Sequence, residues 1–177
     1  MNHREQLIAA FSQSGHIGGG VHSGHEIAYL LAKPYNAAFK KYLTDCVHAQ
    51  ILRRVAQGIY ECTLTPPDSH TALYQIIKKM RPGFLTYISL ESQLSYSGDI
   101  SQVVFDRVTL MTKGRAGTFN TPYGVIEMTH TKKPIRVLMP NLYFDADIKM
   151  YRATTQQAIA DLKACKRNLH LLENLNA

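Results

Sequence analysis

Ile51-Leu52-Arg53-Arg54-Val55-Ala56-Gln57-Gly58-Ile59-Tyr60-Glu61-Cys62 holds two short runs of strand-forming residues joined by a tight Ala-Gln-Gly link. This pattern predicts a β-hairpin. Upstream, Phe39, Tyr42, Leu43 and Cys46 recur at i, i+3, i+4 and i+7, the buried stripe of a helix that ends a few residues before the hairpin. Lys33-Pro34 opens that segment, with the proline where a first-turn proline is tolerated. Before it, Ser23-Gly24-His25-Glu26 matches a capping box and starts a helix running to about Ala32. A first helix spans Arg4 to Gln13, with Leu7, Ile8, Ala10 and Phe11 on one face. Gly15-His16-Ile17-Gly18-Gly19-Gly20 stops it.

Three helices followed by a two-stranded ribbon outline a winged helix-turn-helix over residues 1–62. In that arrangement the third helix enters the major groove of a duplex. Asn36, Lys40, Lys41 and Thr44 fall opposite its apolar stripe. Asn36 has the donor–acceptor pair that reads adenine, and the lysines suit phosphate or guanine. Tyr35 near the helix start is placed to pack on sugar or phosphate, and strand alternation turns one of Arg53 and Arg54 toward the duplex backbone. The net charge of +7 favours a polyanionic partner, although charge bears on association and not on fold. Residues 1–60 hold six Lys/Arg against three Asp/Glu, so the excess extends into the rest of the chain.

Thr63 to Asp68, with Pro66-Pro67, breaks the periodicity and predicts a linker over 63–68, leaving 69–177 as a second domain. There the pattern predicts a helix over Ser69–Met80, a strand over Phe84–Ile88 and a helix over Ser89–Tyr96. Strands follow over Val103–Thr112, Tyr123–His130 and Pro134–Met139. The fold class is therefore α+β: the winged module, then a mixed α/β domain with antiparallel strands and a C-terminal helix. That helix runs from about Thr155 to near the chain end, with Ala158, Leu162, Cys165, Leu169 and Leu172 spaced as a seam. The seam suits packing on the chain's own sheet or pairing of two chains.

Signals for chemistry are sparse. His16, His22 and His25 sit in a glycine-rich stretch without rigid ligand spacing, so no metal or other cofactor is expected. Cys46, Cys62 and Cys165 are odd in number and widely spaced, which suits a reducing compartment. The N-terminal residues lack the apolar core of a signal peptide, and no apolar run approaches the ~18 residues of a membrane span. A cytoplasmic protein without a membrane partner is expected. Glu91 with Asp106 or Glu127, plus Lys113, can be drawn as a metal-dependent nuclease site, but Glu91 reads more simply as a helix-capping residue. The chain has no Walker motif and no paired carboxylates at metal spacing, so the expectation is not an enzyme. Lys113-Gly114-Arg115-Ala116-Gly117-Thr118 offers a basic turn, with Lys132, Lys133 and Arg136 beside it.

Arg-Val-Ala-Gln-Gly-Ile-Tyr (54–60) and Tyr-Ile-Ser-Leu-Glu-Ser-Gln-Leu-Ser-Tyr-Ser-Gly (87–98) resemble segments of the AbiEi antitoxins. So do Val-Thr-Leu-Met-Thr-Lys-Gly-Arg-Ala-Gly-Thr-Phe (108–119), Thr-Pro-Tyr-Gly-Val-Ile-Glu-Met-Thr-His (121–130) and Ala-Thr-Thr-Gln-Gln-Ala-Ile-Ala-Asp-Leu (153–162). The resemblance implies the antitoxin half of an abortive-infection toxin–antitoxin pair. The winged helix would repress its own operon by binding inverted repeats in operator DNA. The second domain would counteract a nucleotidyltransferase-like toxin, AbiEii, without needing a stable complex. The basic turn and its neighbours, Lys113, Arg115, Lys132, Lys133 and Arg136, are the expected antitoxin surface. The alternatives are a nuclease or phosphotransferase acting on the toxin or its RNA target, and a stand-alone winged-helix regulator.

Overall fold

The computed structural model describes residues 2–15, 20–101 and 106–171. His16, Val103 to Phe105 and Leu172 lie outside the described residues. The fold is α+β, with a C-terminal helix. Among the described residues no helix is long and apolar enough to cross a membrane. By contact the chain divides into two units: Met1–Met80 with Thr121–Tyr123, and Arg81–Asn120 with Gly124–Ala177.

In the first unit, helix α1 covers His3–Gly15, strand β1 Val21–Ser23, helix α2 Gly24–Leu30 and helix α3 Ala37–His48. Strands β2, Leu52–Ala56, and β3, Ile59–Cys62, form the hairpin, and helix α4 covers Ser69–Met80. The sheet order is β1-β3-β2, all antiparallel. The expected capping box is formed: Ser23 Oγ accepts the Glu26 N–H, and Glu26 accepts the Ser23 N–H. Gly58 makes the hairpin turn at φ +70°, a conformation open to glycine without strain. Leu7, Phe11, Ile27, Phe39, Leu43 and Leu52 close the core. Burying each such side chain contributes about 1.5–3 kcal/mol.

The linker expected at 63–68 does not end this unit. Helix α4 buries Ala72, Leu73, Ile76 and Ile77 and packs against β1 and β3. Its apolar face needs that sheet, so the division falls after Met80 instead.

In the second unit, strand β4 covers Thr86–Ile88, helix α5 Leu90–Tyr96, strand β5 Arg107–Thr112, strand β6 Gly117–Thr121 and strand β7 Gly124–His130. Helix α6, Ile135–Leu138, is followed by a 3-10 turn at Met139–Asn141, strands β8, Leu142–Asp145, and β9, Met150–Ala153, and helix α7, Thr155–Ala164. The six strands form one sheet in the order β6-β7-β5-β4-β9-β8. It is mixed: β5 with β7 and β4 with β9 run parallel, while β4–β5 and β8–β9 run antiparallel. Helices α5 and α7 cover a core of Tyr87, Leu90, Leu94, Met111, Leu138 and Leu162.

Two expectations fail in this unit. Pro134–Met139 is not a strand: Pro134 caps a short helix that buries Leu138 and leaves Ile135 and Val137 about half exposed. The expected antiparallel strands are present in β4–β5 and β8–β9, and β7 and β9 join β5 and β4 in parallel. The long C-terminal helix ends at Cys165, and Lys166 and Asn168 adopt φ +51° and +47°. That turn interrupts the seam before Leu169, which is 45 % exposed.

Candidate nucleic-acid interface

The third helix presents Lys40, Lys41 and Thr44 to solvent, opposite buried Phe39, Leu43 and Cys46. Asn36 is exposed at the very start of this helix. It is the N-cap, and its Oδ1 accepts the Phe39 N–H at 3.0 Å. Pro34 accordingly lies before the helix and not in its first turn. The Thr44 hydroxyl donates back to the Lys40 carbonyl at 3.0 Å, satisfied within the helix.

Tyr35 is half-buried. Its ring lies 3.8 Å from that of His25, and Lys40 Nζ sits over it at 5.2 Å from the centroid. Gly24 makes room for it, since a Cβ there would stand 2.8 Å from Tyr35 Cε2. Tyr35 is therefore a platform beneath Lys40.

The two arginines of the hairpin part company. They hold regular register opposite Glu61 and Tyr60 and are both exposed; the register shift comes after Arg54 and makes Val55 an extra, buried residue. Arg53 is paired with Glu61 across the hairpin, Nε to Oε1 at 2.6 Å. Glu61 is 2 % exposed. The hydrogen bond to Glu61 raises the Arg53 pKa above its ordinary value, so this guanidinium holds the ribbon together. Arg54 stands opposite Tyr60 and makes a 3.4 Å bond to the Ala56 carbonyl. Burial pushes the Tyr60 phenol up, while Arg54 pulls it down and Tyr35 acts on it too. Lys40 thus lies over Tyr35 and Arg54 stands opposite Tyr60, and both tyrosines pack against the same core. Tyr60 and His25 were not among the candidates from sequence, although Tyr60 was findable as the cross-strand neighbour of Arg54.

His22 is buried, with its Nε2 2.8 Å from Ser14 Oγ and its ring edge-on to Phe11. Among the described residues no group of three or more His, Cys, Asp or Glu is gathered as for a metal ion. Cys46, Cys62 and Cys165 are free thiols.

In the second unit the basic turn is partly consumed by the fold. Lys113 Nζ donates to the carbonyls of Thr131 and Lys133 at 2.9 and 3.0 Å. Lys133 Nζ lies 3.5 Å from Asp161 Oδ1. Asp161 is fully buried and also accepts from Tyr87, Ser89 and Gln157 at 3.0, 2.8 and 2.7 Å. Arg115, Lys132 and Arg136 remain exposed.

Glu91 does not cap α5. Ser89 is the N-cap and makes no side-chain capping bond. Glu91 Oε1 instead accepts from Arg167 Nε at 2.6 Å and Asn168 Nδ2 at 2.7 Å. Arg167 also pairs with Glu127, which Arg107 contacts at 2.5 Å. Hydrogen bonding from Arg167 holds the Glu127 carboxyl below its usual range. Of the carboxylates drawn from sequence as a metal site, Glu91 and Glu127 therefore meet at a guanidinium, while Asp106 is exposed. No protein-family model matches the chain, and no curated protein matches it.

Proposed function

We propose that this protein is a DNA-binding antitoxin of the AbiEi type. The first unit acts as a winged helix-turn-helix, with α3 in the major groove and the β2–β3 hairpin as the wing on the adjacent backbone. The observation that carries this reading is a pair of exposed cations each set beside a tyrosine of the same core, Lys40 over Tyr35 on the helix and Arg54 opposite Tyr60 on the hairpin. Lys41 extends the cationic side of α3. Asn36, Thr44 and Arg53 support this surface in place of reading it.

The sequence resemblance supplies the rest of the proposal: repression of its own operon through inverted repeats, and counteraction of a nucleotidyltransferase toxin by the second unit without a stable complex. Arg115, Lys132 and Arg136 are the cations left for that surface. Three free thiols support a reducing, cytoplasmic setting. The test is a gel shift on the upstream region of the gene itself, paired with rescue of cells expressing the neighbouring toxin. Lys40→Ala/Lys41→Ala is expected to abolish the shift and spare the rescue. Normal DNA binding by that variant refutes the interface, and absence of any toxin whose effect the chain relieves refutes the antitoxin role.

A further inference from the structure

On the first unit an open cavity of about 270 Å³ lies between the start of α1, the segment after α2 and the start of α3. Its lining is mostly apolar, with Leu31, Pro34, Phe39 and Tyr42, and its polar groups come from His3, Gln6, Lys33 and Asn36. The aromatic walls are fixed by their own contacts. Tyr42 donates to the His3 carbonyl at 3.0 Å, its ring lies edge-on to His3, and the Phe39 ring is 5.6 Å away. Burial pushes the Tyr42 phenol well above its ordinary pKa, so it remains a neutral wall at physiological pH.

Size and charge define the occupant. A dry apolar cavity of about 150 Å³ takes benzene, so this one has room for a two-ring aromatic body. Among the described residues lining it none is Asp or Glu, and Lys33, which is exposed, brings a formal positive charge. Ligand sites of this type combine an apolar lining with a few polar groups that fix orientation. We propose that this cavity binds a small aromatic carboxylic acid, its rings against Phe39 and Tyr42 and its carboxylate toward Lys33. The assignment is independent of DNA binding.

The probe is 2-naphthoate, titrated into the full chain and followed by its own fluorescence, which no tryptophan in this sequence obscures. Saturable one-site binding is expected, with amide chemical-shift changes centred on Leu31, Lys33, Ala38 and Tyr42. The uncharged 2-naphthalenemethanol is expected to bind about 1.5-fold to fivefold more weakly, the range of an exposed charge pair. Lys33→Gln should bring the acid down to the alcohol's level and leave the alcohol unchanged. Ala38→Trp, which fills the cavity from an exposed helical position, should weaken both at least tenfold. Non-saturable binding, shift changes elsewhere in the chain, or undiminished binding by folded Ala38→Trp overturns the site. Equal affinity for acid and alcohol overturns the carboxylate. If Ala38→Trp does not fold, the shift map of the unaltered chain decides.

Discussion

The Arg53 guanidinium lies 2.6 Å from a Glu61 carboxylate that is almost wholly withdrawn from solvent. Removing it strips a buried acid of its charged partner. Arg53→Ala is therefore expected to lower unfolding stability by about 1–3 kcal/mol, read by chemical denaturation. Arg54 bears no comparable duty, so Arg54→Ala should leave stability within about 0.5 kcal/mol and weaken DNA binding. The reverse pattern would exchange their roles. Asn36 poses the same question. Ser caps a helix about as well as Asn, while Ala costs about 1 kcal/mol. Asn36→Ser is expected to keep both stability and DNA affinity, and Asn36→Ala to lose stability. A large affinity loss in a stable Asn36→Ser protein would return this residue to base reading.

At the scale of elements, helix α7 is tied down by polar groups as much as by its apolar face. Asp161 takes bonds from β4, the β4–α5 junction and its own helix, and meets Lys133. Asp161→Ala leaves those donors buried without an acceptor, and a loss of about 3–5 kcal/mol is expected, measured by urea unfolding. Beyond α7, Arg167 bridges Glu91 on α5 and Glu127 on β7. Because the folded Glu127 pKa is depressed, its contribution is complete above the unfolded value of about 4.3 and is lost as pH falls through the folded value. The stability gap between the unaltered chain and Arg167→Gln should therefore be widest near neutral pH and close on acidification. A gap that is constant with pH would show that Arg167 acts through packing.

These elements also mark how far the sequence could be read. Ser23 and Glu26, the hairpin and α4 are local signals: each is written in spacings of a few residues, and each is formed. The β8–β9 hairpin and strand β6 were not foreseen, since four- and five-residue strands give little periodicity. Ile135 and Val137 suggested a strand because β-branched residues favour one, yet they lie exposed on a one-turn helix. The Glu91–Arg167 pair spans 76 residues, and no sequence spacing announces it. The candidate interface was half legible. Lys40 and Lys41 followed from helical phase, but the engagement of Arg53 by Glu61 did not, and the Tyr35 platform depends on Gly24 lacking a side chain.

For the whole molecule, the charge of +7 is spread over the chain, so bulk attraction to a polyanion does not by itself identify a binding face. What singles out the first unit is the pairing of Lys40 with Tyr35 and of Arg54 with Tyr60 on one core, with Lys41 exposed on the same helix. Each phosphate contact removed reduces the dependence of log affinity on log salt by about one. Fluorescence anisotropy of the full chain on a duplex from its own upstream region, titrated across salt concentrations, measures this directly. The account predicts a steep linear fall for the unaltered protein, and for Lys40→Ala/Lys41→Ala a weaker affinity with a slope shallower by about two. An unchanged affinity and slope in the double variant would contradict it.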